Sequence, residues 1–368
     1  MFTRSNLATV TTLLAGAVGL RAQAPQGSLA LDFPKDSPVT VVSADWGQSR
    51  PTARGGAMLL DLHTALSLRN TTQKRIRGVT LIVLAQEVTP GGKASVSVPS
   101  IDVAPDETFP VRIDLRLLRP LGGDSALVRV GLDGVLFEDL SFFGPNKLNS
   151  RRSMTVWELE AQRDRRYFKQ ILAQAGPDGL QREMLASIGR ADERQSSGVQ
   201  VVRGRSTNSD PEREIQFAFL QVPESPVEAL NGAAKISGNE ARAPQLDVRN
   251  RSSHPIRYVD LAWIVQDQEG REFVGGSVPA DVNLGPGQRT HIAQETALRF
   301  PERTSIRGML GFVNHVEFSD GKYWIPSRTA LADPRLAKVV SPSPEEQRLV
   351  QIYRKKGLKA LVEELKRF

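Results

Sequence analysis

Between residues 60 and 68 the chain alternates, with Leu60, Leu62, Thr64, Leu66 and Leu68 separated by more polar neighbours. A period of two is what a half-buried β-strand imposes. Residues 79–86 (VTLIVLAQ) and 259–266 (VDLAWIVQ) are short β-branched and apolar runs of the kind found in buried strands. Turn signals punctuate such runs at Pro90-Gly91-Gly92, Asp133-Gly134, Gly285-Pro286-Gly287 and Asp320-Gly321. Six or seven short strands per half, with no helix between them, predict an antiparallel β-sandwich rather than a parallel α/β sheet.

After each β-rich stretch the period lengthens. From 154 to 175, Trp157, Ala161, Phe168, Ile171, Leu172 and Ala175 recur every three or four residues, predicting an amphipathic helix. Gly176-Pro177 ends it, and a second helix runs through Leu180, Met184 and Leu185. In the second half, Ser343-Pro344-Glu345-Glu346 is a helix start, with a cap, a first-turn proline and acids at the positive end of the dipole. Leu349, Ile352 and Tyr353 supply its apolar face, and Gly357 precedes a last helix carrying Leu361 and Leu365. Each stripe is expected to pack on its own sandwich; the competing reading is a groove for a partner.

The two halves repeat one another. Residues 66–86 (LSLRNTTQKRIRGVTLIVLAQ) and 246–266 (LDVRNRSSHPIRYVDLAWIVQ) are identical at eight of twenty-one positions. SVP at 97–99 matches SVP at 277–279, GLDGVLFEDLSFFGP lines up with GFVNHVEFSDGKYWIP, and ILAQAG with IYRKKG. A period this long marks duplicated domains rather than a short-repeat solenoid. The expected boundaries are a leader at 1–24, a sandwich at 25–146, a helical hairpin at 147–194, a polar linker at 195–213, a second sandwich at 214–326 and a second hairpin at 327–368. Residues 199–204 (VQVVRG), inside the linker, could add an edge strand.

Composition adds a compartment. The chain has 368 residues, 40% hydrophobic and 24% charged, which suits a folded protein of more than one domain. Its start has a basic residue at Arg4, an apolar core over 7–20, and small residues at Ala22 and Ala24, the layout of a secretory signal cut after either alanine. The competing reading is a retained anchor, although the apolar run falls short of the ~20 residues needed to span a bilayer. There is no cysteine, hence no disulfide and no thiolate metal site, which favours a bacterial periplasmic or secreted setting. The formal charge of +7 becomes +5 without Arg4 and Arg21, with acids and bases interleaved, so no nucleic-acid footprint is expected. Asn70-Thr71-Thr72 and Asn250-Arg251-Ser252 would be glycosylation sequons in a eukaryotic secretory path.

The pattern L-x-[LV]-R-N-x-[TS]-x-x-x-I-R-x-V-x-L, followed in the second half by Asp267-Gln268-Glu269-Gly270, resembles the immunoglobulin-like sandwiches of bacterial envelope proteins, in particular CARDB-like and FxLYD-like modules. The resemblance covers 39–145 and 227–326, and it implies two tandem antiparallel Ig-like β-sandwiches, each followed by a helical hairpin, that bind, space or present something. Copy one departs from the pattern where Glu87 to Gly91 replaces the D-x-x-G turn. Physically, Asn70 and Asn250 are placed to form Asx-turns. Arg69, Arg77, Arg249 and Arg257 would flank those turns, either as structural charges or as a partner-facing basic edge.

Candidate chemistry is sparse. His63, His254, His291 and His315 show no helical i,i+4 pair, and H-E-x-x-H, G-x-S-x-G, S-x-x-K, P-loop and G-x-G-x-x-G motifs are absent. The carboxylate pairs Glu158/Glu160 and Glu363/Glu364 read as solvated helix faces. Trp46, Trp263 and Trp324 are too few, with Trp263 in an apolar run, to make a sugar platform. The reading is a non-enzymatic secreted or periplasmic protein, without cofactor or metal, whose partner is another envelope or secreted protein. The alternative is an envelope enzyme or carbohydrate-binding accessory protein with a site between the two units.

Overall fold

A computed structural model describes residues 29–86, 91–121, 126–193, 200–203, 211–293, 296–300 and 305–368. The expected leader, Pro90 of one turn signal, and most of the expected linker lie outside them. The protein is mainly β, with several separate sheets and few helices. No helix among the described residues is long and apolar enough to cross a membrane. The chain divides into two compact units: residues 29–98 with Val103–Val135 and Phe143–Pro145, and Pro99–Asp102 with Leu136–Phe142 and Asn146–Phe368.

The first part of the chain contributes β1 (Leu29–Asp32), β2 (Val39–Asp45), β3 (Arg50–Arg54), β4 (Ala57–Asn70), β5 (Ile76–Leu84), β6 (Lys93–Val98), β7 (Thr108–Pro120), β8 (Val128–Phe137) and β9 (Phe142–Phe143). One sheet has the order β1-β8-β5-β6; in the other, β4 pairs β7 on one side and β2 and β3 on the other. The ladder between β4 and β7 runs unbroken from Ala57↔Pro120 to Arg69↔Thr108. The alternation in β4 decides which way it faces: Leu60, Leu62, Thr64, Leu66 and Leu68 are buried. Asp133-Gly134 is not a turn; it lies inside β8, where the apolar run on either side outweighs a two-residue turn signal. The turn comes later, at Leu140, which takes a positive φ of 63°.

The rest of the chain adds α1 (Ser150–Glu193), β10 (Gln200–Arg203), β11 (Arg213–Gln216), β12 (Ala218–Phe219), β13 (Val227–Ser237), β14 (Glu240–Asn250), β15 (Ile256–Asp267), β16 (Glu272–Leu284), β17 (Arg289–Ala293), β18 (Thr296–Arg299), β19 (Ile306–Phe318) and β20 (Tyr323–Trp324). A 3₁₀ turn at Ala330–Ala332, α2 (Pro334–Val339) and α3 (Pro344–Lys366) complete it. One sheet is ordered β10-β18-β14-β13-β11 with β17 also on β14; the other is β12-β19-β15-β16 with β20 on β19. Within the segment 199–204, Gln200–Arg203 supply an edge strand, β10, antiparallel to β18. The pairing is not purely antiparallel: β1 on β8 and β12 on β19 are parallel additions at sheet edges.

Side chains from both of these sheets share one core, among them Leu246, Val248, Leu261, Trp263, Leu298 and Val313. Trp263 is fully buried, 4.7 Å from the ring of Phe217. Gly311 lies under it because a Cβ there would come within 2.5 Å of the indole.

The repeated segments 66–86 and 246–266 have a repeated structure. Asn70 Nδ2 donates to the Lys74 carbonyl at 2.9 Å, and its Oδ1 accepts from the Thr72 N–H at 3.0 Å and hydroxyl at 2.9 Å. Asn250 does the same with His254 at 2.8 Å and Ser252 at 2.8 and 2.7 Å. Both asparagines are fully buried. Their amide nitrogens, the atoms a glycan would occupy, are engaged inside the protein.

Candidate functional site

The site is built from helices. Ser343 caps α3, its hydroxyl accepting from the Glu346 N–H at 3.0 Å, with Pro344 in the first turn as its sequence requires. That cap sets Glu345 and Glu346 against α1, and both are buried. α1 and α3 each break once, at Gly176 (φ 68°, ψ −171°) and Gly357 (φ 80°, ψ 178°), and the helical segments on both sides then pack together. Phe168, Leu180 and Met184 of α1 form one buried cluster with Leu349, Leu361 and Leu365 of α3. This part of the α1 stripe is therefore covered by a helix, not by a sheet as expected.

Beside this cluster lies a buried ion network. Arg328 donates to Glu346 at 2.8 and 3.3 Å and to Asp164 at 3.4 Å, and its guanidinium stacks 4.5 Å above the Tyr167 ring. Asp164, fully buried, also accepts two bonds from Arg163 at 2.9 and 3.2 Å and one from Ser343 at 2.6 Å. Ser187 donates to Glu346 as well. Arg165 pairs with Glu158 at 3.0 Å, and Arg348 joins Glu345 to Glu364 at 2.8 and 2.6 Å. Glu158 and Glu364 are thus structural anions and not a solvated face; Glu363 alone of the four remains exposed and paired to Lys366.

The titrations follow. Burial works against the Glu346 carboxylate, but the Arg328 hydrogen bonds and charge outweigh it and hold its pKa below the usual value. Arg328 is held above its ordinary value by the same contacts against the cost of its own burial. Glu160 lacks such partners: burial pushes its carboxyl up to about 7, with Arg163 pulling it down and Asp164 adding to the rise.

A cavity of about 730 Å³ opens between α1, the 3₁₀ turn, α2 and the start of α3. Ile171, Leu331, Leu336 and Val340 give it an apolar side, and Arg163, Arg166, Arg190 and Arg328, with Glu183 and Glu346 between them, a charged one. Arg163 and Arg328 are locked by carboxylates; Arg190 is tied to Glu183 at 2.9 Å, and exposed Arg166 bonds to the Gln162 carbonyl at 3.2 Å. A smaller hollow of about 470 Å³ adjoins across Pro342, bounded by Val350, Gln351 and Arg354. Such an arrangement presents fixed shape, apolar area and charge, as ligand and partner sites do.

A second cluster sits where α1 begins. Arg152 donates to Glu317 at 2.7 Å and Asp281 at 3.2 Å, with its guanidinium 3.6 Å above the Tyr258 ring. Tyr258 stacks on His315, whose Nδ1 is 3.5 Å from Asp260. Burial lowers the His315 pKa, with Asp260 opposing and Arg152 reinforcing the shift, while burial raises that of Tyr258. Both His315 nitrogens are shielded from solvent and have no hydrogen-bond partner among the described residues. The cluster anchors α1 to the sheet.

The other residues singled out from sequence are placed as follows. Arg69 and Arg77 flank the turn after β4, and Arg69 reaches Asp106 at 2.9 Å. Arg249 reaches Glu228 at 2.5 Å, and Arg257, mostly exposed, stands 3.8 Å from Glu317. His63 contacts Asp114 at 3.0 Å and His291 contacts Asp247 at 2.9 Å, both exposed, and His254 lies in the turn after β14. Among the described residues no group of three or more His, Asp or Glu is arranged to hold a metal ion. Trp46 and Trp263 are buried, and Trp324 is half-buried against the core. Sequence reasoning missed Asp164, Arg328 and Glu346 as a set, because long-range ion pairs leave no spacing signature.

No protein-family model matches this chain, and no curated protein matches it. Among solved structures, the ApaA protein from Bordetella pertussis aligns over 36% of this chain and 88% of its own, at 14% identity and a TM-score of 0.16. A β-glucosidase from Kluyveromyces marxianus, in complex with glucose, aligns over 78% of this chain at 8% identity and a TM-score of 0.19. This chain spans about half of that enzyme, at 48% of its length. At such TM-scores neither likeness carries an argument about fold or function.

Proposed function

We propose that this chain is a non-catalytic secreted or periplasmic interaction protein, built from two Ig-like β-sandwiches with helical tails, which receives a partner in the cavity between α1, α2 and α3. The observation that carries the reading is the cavity's construction. One side is apolar, and the charged side is fixed by Asp164 and Glu346 through Arg163 and Arg328. Preorganised walls lower the entropy lost on docking. The duplicated architecture is supported by the recurrence of the Asn70 and Asn250 hydrogen bonds and by the matching breaks at Gly176 and Gly357. The compartment rests on the leader-like residues 1–24.

The test is site-specific photo-crosslinking in cells. A crosslinker at Gln174, on the cavity rim, should give a discrete adduct, whereas one at exposed Lys235 of β13 should not. Ala337→Trp, which puts an indole into the cavity, should weaken or abolish the Gln174 adduct. Identical products from both positions, or a Gln174 adduct unaffected by Ala337→Trp, would refute the reading.

A further inference from the structure

The breaks in α1 and α3 are the same in geometry and opposite in chemistry. Before Gly176 stand Ala173-Gln174-Ala175; before Gly357 stand Arg354-Lys355-Lys356, with Lys359 just beyond. At both glycines φ lies near +70° to +80° and the helix kinks, and helical segments on both sides pack on one shared cluster. The neutral tripeptide makes that bend as well as the basic one does, so the bend does not require the charges. Helix-dipole stabilisation does not require them either, since the α1 segment ends without a cation in its last turn before Gly176.

Arg354, Lys355, Lys356 and Lys359 are all exposed. Lys355 and Lys356 form no ion pair among the described residues, and Lys359 adds only weakly to the hold that Lys366 has on the Glu363 carboxylate. Neither Lys355, Lys356 nor Lys359 lines either of the two hollows described above. Three exposed lysines on the bend, outside both hollows, fit a flat polyanion better than an inserted peptide.

We propose that the basic bend of α3 is a contact surface for anionic phospholipid headgroups at a bilayer. Lys and Arg held near such a surface gain electrostatic attraction that is lost in salt. This peripheral contact is independent of the cavity reading above, and either can fail without the other.

The experiment is co-sedimentation of the full chain with vesicles of phosphatidylglycerol and phosphatidylcholine, against pure phosphatidylcholine. The neutral vesicles report any contribution of the apolar N-terminal segment. Two variants are compared with the parent: Arg354→Ala/Lys355→Gln/Lys356→Ala, which copies the α1 tripeptide, and Lys355→Gln/Lys356→Ala, which spares Arg354. Each cation near an anionic surface contributes about a fivefold factor in partitioning, so the double variant should bind roughly 25-fold more weakly. Binding of the parent should also disappear at high salt, and circular dichroism should be unchanged in both variants. Equal partitioning of parent and variants overturns the proposal, as does equal binding to neutral vesicles. Capture of polyglutamate through these residues without vesicle binding would overturn it in favour of an acidic peptide.

Discussion

Replacing Asn250 tests what fixes the repeated turn. The side chain is fully buried and uses every hydrogen-bonding valence it has. Nδ2 donates to the carbonyls of His254 at 2.8 Å and Leu284 at 2.9 Å, and Oδ1 accepts from the Ser252 N–H and hydroxyl at 2.8 and 2.7 Å. Asn250→Ala removes all four and leaves the Leu284 carbonyl with one partner fewer in a buried setting. At about 1 kcal/mol net per bond, the loss should be roughly 4 kcal/mol. Asn250→Asp keeps the shape and both Ser252 bonds, but turns a carboxylate oxygen toward two carbonyl oxygens. Only the protonated acid can donate there, so folding should raise its pKa above the unfolded value of about 3.9. Stability present below that value is lost as pH rises through the folded pKa, so the Asp penalty should grow as pH climbs above about 4. Urea unfolding followed by tryptophan fluorescence reads both variants, with Trp263 in the adjoining core as reporter. With an m-value of about 2 kcal/mol/M, the Ala variant's midpoint should fall by about 2 M. A loss under about 1 kcal/mol for Asn250→Ala, or an Asp penalty that does not change with pH, would refute the argument.

Other perturbations probe the helical junction and the core. Glu346→Gln should cost about 3 kcal/mol, because Arg328 would keep its burial but lose its main anion; thermal unfolding would measure it. Glu346 itself has a lowered pKa, so its contribution is present above the unfolded value of about 4.3 and fades as pH falls through the lower folded one. Glu160 has the opposite sign: its carboxyl, raised to about 7, disfavours the fold as pH rises, so Glu160→Gln should stabilise the protein at pH above 7 and have little effect near the unfolded pKa. Gly311→Ala would drive a methyl into the Trp263 ring, at a cost of about 1–3 kcal/mol and with a changed near-ultraviolet circular dichroism signal. Folded material secreted from a eukaryotic host should carry no glycan at Asn70 or Asn250 by mass spectrometry, since both amides are consumed internally.

What could be read from the sequence was what one segment decides alone. The alternation from Leu60 to Leu68 fixes the buried face of β4 whatever lies opposite, and Ser343-Pro344 starts α3 by satisfying its own first turn. The Asn70 and Asn250 turns are local too, closing on residues two and four positions ahead. Asp133-Gly134 misled because a dipeptide preference of under a few kcal/mol competes with a whole strand ladder, and the ladder wins. The α1 stripe announced that Phe168 would be buried, but amphipathicity carries no address, and the partners Leu361 and Leu365 come from the far end of the chain. The same blindness hid the site. Asp164, Arg328 and Glu346 each look like ordinary surface charges in sequence, and only the packing of α1 on α3 makes them mutually obligatory: once Asp164 and Glu346 are buried, Arg163 and Arg328 must follow, because an unpaired anion there would cost more than the helix contact returns. The cavity wall is therefore a consequence of how the helices pay for their own interface, and a substitution that loosens Asp164 should widen the cavity as well as weaken the fold.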